Sequence, residues 1–155
     1  MSRVVVNEIQ AKVGNDISFN DAAKIDTLKG KTTAGSIDVT GEGNSTTTNL
    51  QQGLCKAWSQ HNGGGTVADS FNSSHTTDHG TADNTFSFTN PMANANYSVS
   101  LSGGYAASAA STFFSGLTQT ITTSSIRYDF GYHDGSGAHN YEWTEVYHQI
   151  FGDLA

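Results

Sequence analysis

The sequence predicts an all-β protein in two parts: an extended N-terminal assembly arm over residues 1–50, then an antiparallel, jelly-roll-like β-sandwich over residues 51–155, built as a homotrimer. Three observations carry this reading. Ser, Thr, Asn and Gly occupy 66 of the 155 positions and charged residues only 14%, against roughly 25% in an ordinary soluble domain, so long charged helices are excluded and turn residues abound. Several downstream runs alternate apolar and polar residues with period two, which marks strands with one buried and one wet face. Finally, of sixteen aromatic residues only Phe19 precedes Trp58. Because aromatic side chains carry much of a small core's burial, the compact domain begins near residue 51.

In the arm, apolar residues form short groups set apart by turn chemistry: Val4, Val5, Val6 and Ile9, then Ile17 and Phe19 after "VGND", then Ile25 and Leu28, then Ile37 and Val39. Each group is a strand of about four residues, shorter than the mean. Four such strands cannot close a core alone, whereas identical strands from three chains around an axis can. A disordered tail would lack these β-branched clusters. Val4, Val5, Val6, Ile9, Ile17 and Phe19 are therefore the expected assembly residues. "GEGNSTTTN" reads as a linker, and "NLQQGLCKAW" as one short turn of helix or a hinge before the main domain.

The head domain reads more clearly. "NTFSFTN" alternates Phe86 and Phe88 with Thr85, Ser87 and Thr89; "NYSVSLSG" alternates Tyr97, Val99 and Leu101 with serines; "SIRYDFGY" alternates Ile126, Tyr128, Phe130 and Tyr132 with Arg127, Asp129 and Gly131. Pro91, the sole proline, falls between the first two runs, where it ends pairing without removing a ladder bond. "NYEWTEVYHQIF" has apolar residues in both phases, Tyr141, Trp143, Tyr147 and Phe151 against Val146 and Ile150. That predicts a strand buried on two sides, in the middle of a sandwich or at a subunit interface.

Charge and cysteine content narrow the functions. The first 56 residues hold six bases and six acids, while beyond them Arg127 faces eight acids and carries the whole net charge of −7. Nucleic-acid binding needs clustered Lys and Arg to neutralise phosphates, so it is excluded. A single cysteine, Cys55, rules out an intrachain disulfide framework and a cysteine zinc site. No secretory signal and no run of membrane-spanning length is present, which predicts synthesis in the cytoplasm and no membrane insertion.

The search for chemistry yields no catalytic set and no cofactor. G-x-S-x-G, H-E-x-x-H and P-loop motifs are missing from the sequence, and Glu142 and Glu145 point to opposite faces of an extended strand, so they do not form a glycosidase pair. His75, Asp78 and His79 in "SSHTTDHGTAD" would converge on a helix, but their surroundings read as strand or loop. A metal there would need a third ligand from a neighbouring chain, and solvated histidines are the expectation. His61 and His148 are expected at a rim, and His133 and His139 flank the hairpin-like "DGSGA".

Residues 1 to about 100 resemble a C-terminal module of tail-fibre and other virion-appendage proteins of tailed phages, especially marine and cyanobacterial ones. The resemblance runs through Gly53 to Trp58, "GTVADSFN", "TDHGTADNTFSF" and "ANYSV" as an ordered set, and the opening "RVVVNEIQAKVGNDISF" is similar to the short N-terminal segments of such proteins. It departs at Cys55, at Ser59, Gln60 and His61, and before Asp69. What the resemblance implies is a structural virion protein: a homotrimeric fibre or spike, attached to other virion proteins of the tail or capsid through its N-terminal part and presenting its C-terminal domain outward to a host surface glycan or outer-membrane protein. The alternative is a capsid-decorating or head-fibre protein, and a glycan hydrolase stands further behind. Receptor-binding residues are expected where aromatics and imidazoles meet turns, at Tyr105, Tyr132, His133, His139 and Tyr141.

Overall fold

The alternating runs become strands in the computed structural model, which describes residues 25–30, 33, 37–41, 43, 45–104 and 113–155. Strands β1 (Asp38–Thr40) and β2 (Thr47–Asn49) pair antiparallel. Helix α1 (Leu50–Gly53) is a single turn. It starts where Asn49 accepts hydrogen bonds from the Gln51 and Gln52 amides, the usual way a helix end satisfies its free N–H groups. The sheet strands follow: β3 (Ala57–His61), β4 (Val67–Phe71), β5 (Ser73–Gly80), β6 (Asp83–Phe88), β7 (Ser98–Gly104), β8 (Phe113–Ile121), β9 (Ser125–Asp134), β10 (Gly137–Asn140) and β11 (Glu145–Phe151). The described chain is thus all-β apart from one helical turn, and no helix in it is long and apolar enough to cross a membrane.

Two antiparallel sheets result. One has the order β4-β3-β11-β7, so the first and last strands of the domain are neighbours, with Ala57 opposite Ile150 and His61 opposite Val146. The other is organised by β9, whose ten residues exceed the reach of any one partner. Along one edge β6 pairs with residues 125–129 and β10 with residues 131–134, while β8 takes the opposite edge and β5 lies outside β6. The far half of β9 therefore extends past β6 as a β9–β10 hairpin, and this extension positions the candidate site.

The inner faces meet in one core. Phe86, Phe88, Ile126, Tyr128 and Phe130 come from the β9 sheet and Ala57, Val146 and Ile150 from the other, with Trp143 and Met92 closing the ends and Tyr97, Val99 and Leu101 packed at the side. Each fully buried large apolar side chain contributes about 1.5–3 kcal/mol, so this single cluster supplies the stability that the polar composition withholds elsewhere. Asn72 stitches the layers: it adopts a left-handed backbone (φ 56°), and its side-chain amide donates to the carbonyls of Lys56 and Asn90 while accepting from the Asn90 N–H.

Three expectations change. His61 and His148 stand in the centre of the core, 2% and 1% exposed, instead of at a rim, because their rings pack on Tyr128 and on each other and so replace an aliphatic layer. The final strand buries one face only: Val146, His148 and Ile150 point inward and Phe151 outward. Trp143 is buried from the segment before that strand. The linker segment ends in β2, which pairs with the residues around Val39. Val4, Val5, Val6, Ile9, Ile17, Phe19 and Tyr105 lie outside the described residues.

Candidate functional site

The β9–β10 hairpin is closed by Gly135 and Ser136 alone, since Asp134 pairs with Gly137. The "DGSG" tetrapeptide thus sets the register, and register decides which side chains meet. His139 falls directly opposite Tyr132. Their rings stack at 5.0 Å with an interplanar angle of 22°, and Tyr141 closes on Tyr132 edge-on at 5.9 Å and 65°. Because Tyr132 follows Phe130 by two residues, both share a face of β9; Phe130 is buried against Trp143, 5.3 Å away, while Tyr132 stands past the rim of the sandwich, half-buried. The core's aromatic face is in this way carried outward onto the hairpin.

A recess of about 260 Å³ lies there, lined by residues 129–133 of β9 and 138–140 of β10, His133 and Ala138 as well as Phe130, Tyr132 and His139. Its shape depends on Gly131, where a Cβ would sit 2.1 Å from the His139 carbonyl oxygen. Only glycine lets β9 and β10 approach this closely. The structure therefore brings together Tyr132, His139 and Tyr141. His133, paired with Ala138 in the opposite strand phase, is exposed and lines the same recess outside the Tyr132–His139 stack. The segment 132–140, expected as part of a loop, is strand except at its two-residue tip, and Tyr141 follows directly after β10.

Electrostatics around the sheets are acidic. Beyond Lys56 the one strong base is Arg127, and its guanidinium is held in a two-pronged bond to Asp83 at 2.8 and 2.5 Å. The hydrogen bond from Arg127 keeps the Asp83 carboxyl below its ordinary range. A site without a free cation has nothing to grip phosphate or sulfate with, whereas two ring faces and an imidazole edge suit a sugar's C–H face and hydroxyls.

The histidine-rich strand gives no metal centre: among the described residues no three His, Cys, Asp or Glu side chains are grouped to hold an ion. His75 and His79 sit on β5, where His79 Nε2 meets the Thr85 hydroxyl at 2.9 Å. Sequence reasoning missed the buried polar cluster. There Ser59 Oγ is 2.9 Å from His148 Nδ1 and Tyr128 Oη is 2.5 Å from His61 Nε2. Burial, aided by the neighbouring His61, pushes His148 down to about 3, and burial lowers His61 as well. Both imidazoles are neutral near pH 7 and sealed between the sheets, so they serve packing. The signal was present in "AWSQH", whose period two puts Ala57, Ser59 and His61 on one face.

Fold and site together define an antiparallel β-sandwich that carries an aromatic hairpin. No protein-family model, curated protein or solved structure matches the chain.

Proposed function

We propose that the protein is a structural component of a phage virion: a short trimeric tail fibre or spike, attached through its N-terminal part and holding a host surface glycan at the β9–β10 hairpin. The observation that supports this most directly is the stacked Tyr132–His139 pair beside Tyr141, an aromatic platform on a projecting element in an acidic domain. Recognition on a rigid sheet scaffold concentrates at such projecting tips. The platform needs no bound group and moves no proton; it offers ring faces to the apolar side of a sugar and polar edges to its hydroxyls.

Alanine at Tyr132, His139 or Tyr141, one at a time, is expected to lower adsorption of particles to host cells without changing trimer yield. Normal adsorption by all three platform variants, with assembly intact, would remove the receptor role from the hairpin and favour decoration of the capsid shell.

A further inference from the structure

The outer face of the four-stranded sheet carries a second recess, separated from the hairpin and from the core. Alternation on β3 and β11 sends Ser59 and His148 inward, so their neighbours Trp58, Gln60, Tyr147 and Gln149 stand on the outer side. The register sets Trp58 opposite Gln149 and Gln60 opposite Tyr147. Two adjacent rungs thus form a square with an aromatic and an amide on each strand. With Cys55 and the Ser59–His148 rung beneath, these side chains enclose about 370 Å³, within the roughly 300–1,000 Å³ of small-molecule sites.

The chemistry of this square selects its occupant. Trp58 is 36% exposed although it lies on an inner strand of the sheet, where an indole without a ligand leaves a large apolar surface in water. The Tyr147 hydroxyl donates to Glu145 at 2.5 Å, which fixes that ring. Among the described residues the amides of Gln60 and Gln149 make no side-chain hydrogen bond, so their donors and acceptors are available to a ligand. The adjoining strands add Ser100 beside Gln149, Ser102 beside Tyr147, Asp69 beside Gln60 and the exposed Phe71 beside Trp58. With Asp69 and Glu145 present and no Lys or Arg in any of the four strands, the sheet face disfavours anionic ligands. An aromatic platform ringed by amides and hydroxyls, under a negative rim, fits a neutral saccharide.

We propose that this face is a second binding site, taking a neutral glycan chain across β3 and β11. The assignment stands apart from the hairpin reading, and one experiment separates the two. The full chain, fluorescently labelled, is applied to an array of neutral oligosaccharides and of oligosaccharides bearing uronic or sialic acids, alongside Trp58→Ala, Gln149→Ala and Tyr132→Ala. Some neutral glycans are expected to lose retention at least tenfold with Trp58→Ala and with Gln149→Ala, whereas glycans held at the hairpin lose it with Tyr132→Ala. Gln149 is exposed and unpaired, so its substitution keeps the test valid if Trp58→Ala misfolds, and near-ultraviolet circular dichroism of the buried Trp143 reports that directly. Absence of neutral-glycan retention, retention confined to acidic glycans, or equal retention by the Gln149→Ala protein would each overturn the proposal. So would a change in sedimentation coefficient of a folded Trp58→Ala protein without loss of glycan, which would give the face to a second copy of the chain.

Discussion

His61 and His148 make the core of this sandwich sensitive to acid. Burial lowers both imidazoles, His148 to about 3, whereas in the unfolded chain each titrates near its ordinary 6.5. Above that value both states are neutral and the full stability is present. Below it the unfolded chain binds protons that the folded core refuses, so stability falls as pH drops, by up to about 1.4 kcal/mol per pH unit for each histidine. The Asp83–Arg127 pair acts in a lower window: its depressed carboxyl stabilises the fold above the ordinary aspartate value near 3.8 and loses that effect only as pH falls further. Urea denaturation at pH 7.5, 6.5, 5.5 and 4.5 is therefore expected to show a flat region and then a decline of about 2 kcal/mol or more by pH 4.5. His148→Gln, whose amide can still meet Ser59, should flatten that decline by one histidine's share. Equal slopes in the two proteins would show that His148 is not the titrating group.

At the scale of elements, the β9–β10 hairpin depends on close strand approach at Gly131. Alanine there would place a methyl 2.1 Å from the His139 carbonyl, and the backbone of β10 must retreat. The expected outcome is loss of the Tyr132–His139 stack and about 1–3 kcal/mol of stability, with the sandwich preserved because β6 and β8 hold the rest of β9. Ring-current shifts of the Tyr132 and His139 protons, together with the thermal midpoint, measure both effects; an unshifted Tyr132 in the alanine protein would sink the idea. The sequence made β6, β7 and β9 legible because Phe, Tyr, Val, Leu and Ile alternate there with Ser, Thr, Arg and Asp. It hid β3, where the pattern is inverted: tryptophan faces outward and serine and histidine inward, since the buried partners are other polar rings. It hid β5 too, an edge strand whose single neighbour demands no apolar face. For the site, "DGSG" announced the turn and thus the meeting of Tyr132 with His139, while strand alternation already puts His133 in the opposite phase.

For the whole molecule, the separation of apolar β-branched groups before residue 50 from aromatic residues after Trp58 is the basis of the proposed division between assembly and recognition. A single aromatic platform of three rings binds a sugar weakly. In the proposed trimer, and on the proposed particle, three or more platforms would convert later contacts into intramolecular ones, and such linkage raises overall binding by about 10²–10⁴ without any new contact. This sets up a dissociation between two measurements. Val5 belongs to the proposed trimer contact, where burial of a valine is worth about 1.5–3 kcal/mol and an aspartate would bring an unpaired charge against two symmetry-related copies. Val5→Asp is therefore expected to shift the protein from trimer to monomer in analytical ultracentrifugation at micromolar concentration and to lower its incorporation into particles. The same variant should keep the thermal transition of the sandwich and its affinity for a soluble monovalent glycan, yet lose at least a hundredfold in retention on a glycan-coated surface. A Val5→Asp protein that remains trimeric, or a wild-type protein that sediments as a monomer, would take assembly away from the N-terminal segment and leave the domain to act as a single binding unit.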